Sequence, residues 1–206
     1  MVSLTSFFVA SLALASQSLA QRTIKILAIQ DLSLPDTFVF KPNSVTANVG
    51  DMLEFHFAPT GFLPSNHTVA QGTFDKGCQP MPGGFFSGNV TAAPTTPAGA
   101  PLTEAELVFQ VQVTTTNPMV FYCTTGQHCT RGMYGVVNPS ATQNLASYKR
   151  TIMSYGPAGV PVSVTGGNLV ANPGPIDQTT LVAGATTTTI SLLGVAGAMV
   201  FAVLMA

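Results

Sequence analysis

Between residues 23 and 155, short apolar runs alternate with Gly, Pro and Asn at spacings too short for helices. That rhythm restricts the chain to strands joined by turns, an all-β sandwich or barrel. Alternation is plainest over 52–57, where Leu53, Phe55 and Phe57 fall on one face and Glu54 and His56 on the other. His56 is therefore expected to face solvent. Further strands are expected at 23–29, 37–40, 44–48, 67–71, 84–87, 106–114, 119–123 and 133–137, enough for two packed sheets of about eight strands in total. Residues 90–103 hold Pro94, Pro97 and Pro101 without periodicity and read as a long surface connection. Over 141–155, Leu145, Tyr148 and Ile152 recur at helical spacing, which predicts a short amphipathic helix closing the domain.

Both ends of the chain are apolar and stand apart from this pattern. Residues 3–15 form an uncharged apolar run, and Ser18-Leu19-Ala20 precedes Gln21 as a small-x-small cleavage signal, so 1–20 is expected to be a signal peptide. Residues 190–206 are apolar apart from Ser191, with no Lys or Arg following. A true span normally wants about 20 apolar residues. With a Thr-rich spacer before it and small residues such as Ala183-Gly184-Ala185 upstream, the tail suits a GPI attachment signal, the alternative being a transmembrane helix. Ala183 to Ala185 and Asp177 both remain open as the attachment region. From 156 to 189 the chain is rich in Gly, Pro and Thr and is expected to be a stalk, leaving 21–155 as the folded domain.

Seven basic and eight acidic residues are spread over 206, so no basic patch exists for nucleic acid. Sparse charge in a secreted chain fits a surface protein whose solubility is helped by sugar. Two acceptor sequons are present, Asn66-His67-Thr68 and Asn89-Val90-Thr91. Asn66 is also placed to hydrogen-bond from a strand end to the neighbouring loop, which favours Asn89 as the sugar site.

The chemically informative stretch runs from Phe121 to Met133 and sets Cys123, His128 and Met133 at five-residue intervals directly after an apolar strand. A trigonal blue-copper centre uses one thiolate, two imidazoles and a weak axial thioether, and this loop supplies three of the four. Only two other histidines exist. His67 follows the loop 58–66 and opens a strand, whereas His56 lies mid-strand, so His67 is the expected fourth ligand. An odd cysteine among three in a secreted chain is accounted for by a metal-bound thiolate. From the residues alone, a disulfide from Cys123 to Cys129 or to Cys78 stays open.

The Val49-Gly50-Asp51 turn, the Asn66-His67-Thr68-Val69 step and the Cys123/His128/Met133 loop together resemble the phytocyanin branch of the cupredoxins, and more closely fungal GPI-anchored surface proteins that carry such a domain. The resemblance covers about 23–155. It implies a cupredoxin Greek-key β-sandwich, one type 1 copper, a Cys78–Cys129 disulfide and an exposed His128 ring edge where electrons leave.

Four protein ligands leave no open coordination position for substrate, which points away from an enzyme. A multicopper oxidase needs several paired His-x-His motifs, and a histidine-brace oxygenase needs a His at its mature start, expected here at Gln21; neither requirement is met. The expectation is a monomeric surface protein that transfers single electrons or holds copper, with an unknown redox partner. The alternative is an adhesive or structural surface module in which copper is incidental.

Overall fold

The computed structural model describes residues 21–31, 37–59, 63–94, 103–152 and 156–177. The expected signal peptide and apolar tail lie outside them. Within the described residues are twelve strands, β1 (Thr23–Asp31), β2 (Thr37–Lys41), β3 (Ser44–Val45), β4 (Met52–Phe57), β5 (Ser65–His67), β6 (Ala70–Thr73), β7 (Lys76–Pro80), β8 (Val90–Ala92), β9 (Leu107–Gln112), β10 (Met119–Tyr122), β11 (Tyr134–Val137) and β12 (Asn168–Ala171), with one helix, α1 (Leu145–Ile152), between the last two strands.

Two five-stranded sheets form the sandwich. One runs β12-β9-β4-β1-β2 and the other β3-β11-β10-β6-β7, while β5 and β8 make a separate two-stranded ribbon. The first sheet is mixed, since β1 pairs in parallel with β4 and antiparallel with β2. Period-two alternation explains the core between the sheets: Ile24, Ile26 and Ala28 of β1 and Leu53, Phe55 and Phe57 of β4 point inward to meet Phe121 and Val137. Phe40, Phe55 and Phe121 pack there edge to face, with ring centroids 5.0 to 6.2 Å apart.

Each sheet is also covered on its outer face. Helix α1 lies on the second sheet, where Tyr148 and Ile152 bury against Val120, Tyr122, Tyr134 and Val136. The approach is close because β7 carries Gly77 beneath the helix, where a Cβ would stand 2.5 Å from Ile152 Cα. On the first sheet, Leu27, Ile29 and Ala58 are covered by Ile176. Residues 156–177 therefore do not leave the domain as the expected stalk. The segment returns along the sandwich, adds β12 antiparallel to β9, and ends with Ile176 buried. Its many Gly and Pro residues serve a tightly applied strap; Gly167, for instance, leaves no room for a Cβ, which would lie 2.6 Å from both Gln110 O and Phe109 Cζ.

Two further expectations change. The strand expected over 67–71 is broken into β5 and β6, and 84–87 contributes only isolated bridges at Phe86. His56 does not face solvent: its relative exposure is 0%. The alternation of β4 is as expected, but the strap covers the face on which Glu54 and His56 lie.

Candidate metal centre

Strand β10 ends at Tyr122, and the loop that follows folds back so that the Cys123 amide donates to Met133 O at 3.0 Å. Inside the loop, His128 N donates to Thr125 O and Met133 N to His128 O, both at 2.9 Å. Gly132, with φ of 115°, allows the reversal that returns the chain to β11. This wrapped loop carries Cys123 and His128 on one side, with Cys123 Sγ 3.6 Å from His128 Nδ1. His67 arrives from the end of β5, paired through Asn66 and His67 to Thr91 and Val90 of β8.

One donor atom from each of His67, Cys123 and His128 falls within 4.8 Å of the others. Cys123 is a free, fully buried thiol. Met133 is buried in the same apolar cluster as Cys123. The structure thus brings together three of the expected residues, His67, Cys123 and His128, and it links Cys78 to Cys129 in a disulfide at a sequence separation of 51, tying the residue after His128 to β7.

Neither nitrogen of His67 has a hydrogen-bond partner, although the residue has no exposed surface. A buried polar group without a partner ordinarily costs about 1–3 kcal/mol. Burial, aided by neighbouring His128, pushes the His67 pKa down to about 3, and burial together with the Arg131 cation lowers His128 to about 4. Both rings are neutral at ordinary pH, the form in which imidazole donates to a metal. Orphaned nitrogens on His67 and a reduced thiol within 4.8 Å of each other and of His128, with buried Met133 closing the same loop, fit a soft metal ion, copper above all.

The contacts around the sulfur differ from expectation. Asn66 does not reach the Cys-bearing loop; it is exposed, and its Oδ1 accepts from Thr91 Oγ1 at 2.5 Å. Thr68 performs the bridging instead. Its amide and hydroxyl point at Cys123 Sγ from 3.5 and 3.6 Å, and its Oγ1 accepts from Thr124 N at 2.7 Å. Strand geometry explains the exchange, because Asn66 and Thr68 flank the inward His67 and only Thr68 lies beyond the ribbon, beside β10. A second residue that the sequence did not reveal is Phe38 of β2, whose ring stacks on His128 with centroids 3.8 Å apart. The sequence placed Phe38 in the strand expected over 37–40, without showing that it abuts a histidine.

His56 belongs to a different cluster. Its Nδ1 lies 2.6 Å from Glu104 Oε2 and its Nε2 2.8 Å from Glu54 Oε1. Glu54 also accepts from Gln110 at 2.7 Å and has Lys25 Nζ at 3.7 Å. Glu104 accepts from Ile176 N at 2.8 Å and from Asn172 Nδ2 at 3.1 Å, fastening the strap to the sheet. Burial is the largest influence on His56 and acts to lower its pKa, but the hydrogen bonds and attraction of the two carboxylates outweigh it and the net shift is upward. Both carboxylates are held below their usual range for the same reason, their own burial being outweighed by these partners.

Two face-packed sheets with a His–Cys–His cluster beside a loop closed by Met133 define a cupredoxin-like β-sandwich protein. Its sequence relatives are named as fungal surface or extracellular proteins. Over 150 residues the chain is 28% identical to a probable GPI-anchored cupredoxin-1 of Arthroderma benhamiae, covering 72% of this chain and 69% of that protein. It is 33% identical over 132 residues to an extracellular serine-rich protein of the same fungus, covering 63% of this chain but only 46% of the relative. No family model matches the chain. Among solved structures, reduced rusticyanin aligns with a TM-score of 0.38 at 14% identity, over 58% of this chain and 80% of that one. Oxidised plastocyanin from Dryopteris crassirhizoma aligns with a TM-score of 0.30 at 19% identity, over 55% and 96%.

Proposed function

We propose that this chain is an extracellular protein that binds one copper ion as a type 1 centre through His67, Cys123, His128 and Met133, and that it transfers single electrons or holds copper at the cell surface. The observation that carries the reading is His67, sealed from water with both ring nitrogens unpartnered and within ligand distance of a reduced cysteine. Copper in such a site supplies a one-electron couple whose potential is tuned by the axial group and by hydrogen bonds to the sulfur. The protein's part is to keep the donors fixed and dry. Thr68 orients the sulfur, the Cys78–Cys129 bridge anchors the ligand loop, and burial keeps both imidazoles unprotonated.

Surface location is supported by the leader-like residues 1–20, the GPI-type tail at 190–206 and the names of both relatives. The asparagines of both sequons are exposed, so Asn66 and Asn89 are alike open to glycosylation. No substrate position remains once four side chains hold the ion, and the protein is read as a non-enzyme. Addition of Cu(II) to the purified chain, followed by visible and electron paramagnetic resonance spectra, tests the proposal. An intense thiolate-to-copper band is expected, and a protein that takes up no copper, or shows only weak tetragonal spectra, refutes it.

A further inference from the structure

Strand β2 is the edge of the first sheet, and Phe38 and Phe40 share its inward face. Core packing accounts fully for Phe40, which is 1% exposed and meets Phe55 and Phe121 edge to face. Phe38, two residues nearer the ligand end of the sandwich, is only partly buried, and the rings it touches belong to histidines. It lies almost parallel to His128, 15° between planes at 3.8 Å, and meets His67 at 63° with centroids 5.7 Å apart. The two imidazoles are themselves 5.2 Å apart at 52°. Three rings from β2, the end of β5 and the loop after β10 thus close on one another.

At 3.8 Å no water fits between the Phe38 and His128 rings. His128 cannot turn about its side-chain torsions without sliding off that face, and His67 is braced on the same ring. We propose that Phe38 is a positioning residue for the metal centre: by clamping both imidazoles from the opposite sheet it holds His128 on the ion and forms the outward contact surface beside it. This inference rests on the copper-binding reading above. It assigns to β2 a role that neither the ligand loop nor the Cys78–Cys129 bridge supplies, because the bridge acts on the loop backbone and Cys123 Sγ meets the His128 ring only at its Nδ1 edge, whereas Phe38 covers the face of the ring.

Full-length wild type, Phe38→Leu and Phe38→Tyr decide the matter. Leu keeps apolar bulk without an aromatic face, and Tyr keeps the face. In the metal-free protein, the His128 ring protons are expected upfield in wild type and Phe38→Tyr and shifted downfield in Phe38→Leu. After loading with Cu(II), release to excess EDTA is expected to run roughly three- to tenfold faster in Phe38→Leu, the range that an aromatic pair contact is worth, and within about twofold of wild type in Phe38→Tyr. Equal release rates in all three, with or without the proton shifts, overturn the positioning role, as does a Phe38→Leu protein that loses stability but releases copper at the wild-type rate. A wild-type chain that forms no blue complex sinks the copper reading and this inference with it, an outcome recognisable before any variant is compared.

Discussion

His56 and His67 are equally cut off from solvent, yet the fold uses them in opposite ways. His56 has a carboxylate on each nitrogen, and its pKa is raised; His67 has no partner on either nitrogen and is pushed down to about 3. Burial alone therefore does not say what an imidazole is for. Its partners do: two buried carboxylates favour the protonated form of His56 within an ionic cluster that Lys25 joins, whereas the Cys123 sulfur, a second imidazole and the Phe38 ring leave His67 a neutral donor. The two ends of the contrast also hold the chain differently. One fastens the ligand loop by a disulfide and ring contacts, and the other fastens the strap 168–177 by charge.

The largest effect is expected from Cys123→Ser. Removal of the thiolate should abolish the visible band altogether while the sandwich still folds, as judged by circular dichroism; a band that survived would mean that the buried sulfur is not what distinguishes the His67 region. Next comes Cys78→Ala with Cys129→Ala. With the cysteines at a sequence separation of 51, the loop-closure estimate puts the loss at about 4 kcal/mol. Urea unfolding of the metal-free protein measures it, and a loss below about 1 kcal/mol would show that the ligand loop is held by packing instead.

Glu104→Gln probes the other cluster. It leaves His56 with one carboxylate and weakens the hold on Ile176 and Asn172, so a loss of about 3 kcal/mol is expected, as when one partner of a buried ion pair is removed. The copper spectrum of the still-folded variant should match wild type. A shifted band would tie the strap to the metal centre and erase the independence of the two regions.

How far the sequence foretold this contrast depends on the reach of each interaction. Cys123 and His128 stand within one loop, so their convergence was legible from spacing, and His67 followed from its place after a loop and the scarcity of other histidines. The alternation of β4 likewise told which residues share the face of His56. What covers that face was not legible, because the cover comes from 168–177, more than a hundred residues on, in a stretch whose Gly and Pro content looks like a stalk. Of the two carboxylate partners, Glu54 was legible from that shared face, while Glu104 gave no local signal, since it meets His56 only through the tertiary fold. The same limit hid Phe38 and exchanged Asn66 for Thr68, contacts made between sheets and not along the chain.

The smallest effect expected, and the one that separates the histidines most finely, is on the pH dependence of stability in the metal-free protein. His56 has a folded pKa above the ordinary 6.5, so the folded state holds a proton that the unfolded chain gives up first. Its contribution is fully present below pH 6.5 and is lost as pH rises through the folded value. Glu54 and Glu104 are lowered from 4.5, so theirs is present above 4.5 and lost as pH falls through their folded values. The ionic cluster is thus at full strength between pH 4.5 and 6.5. His67 and His128, at about 3 and about 4, are neutral in the folded state, and their unfolded counterparts lose their last protons within roughly one unit above the ordinary 6.5, so they add no slope beyond about pH 7.5. Urea midpoints measured upward from about pH 7.5, where the other two histidines no longer contribute, should accordingly fall in wild type and stay flatter in His56→Met, which keeps an apolar side chain but no titrating nitrogen. Parallel curves for the two proteins would mean that His56 is not a buried cation, and the opposition between the two histidines would be lost.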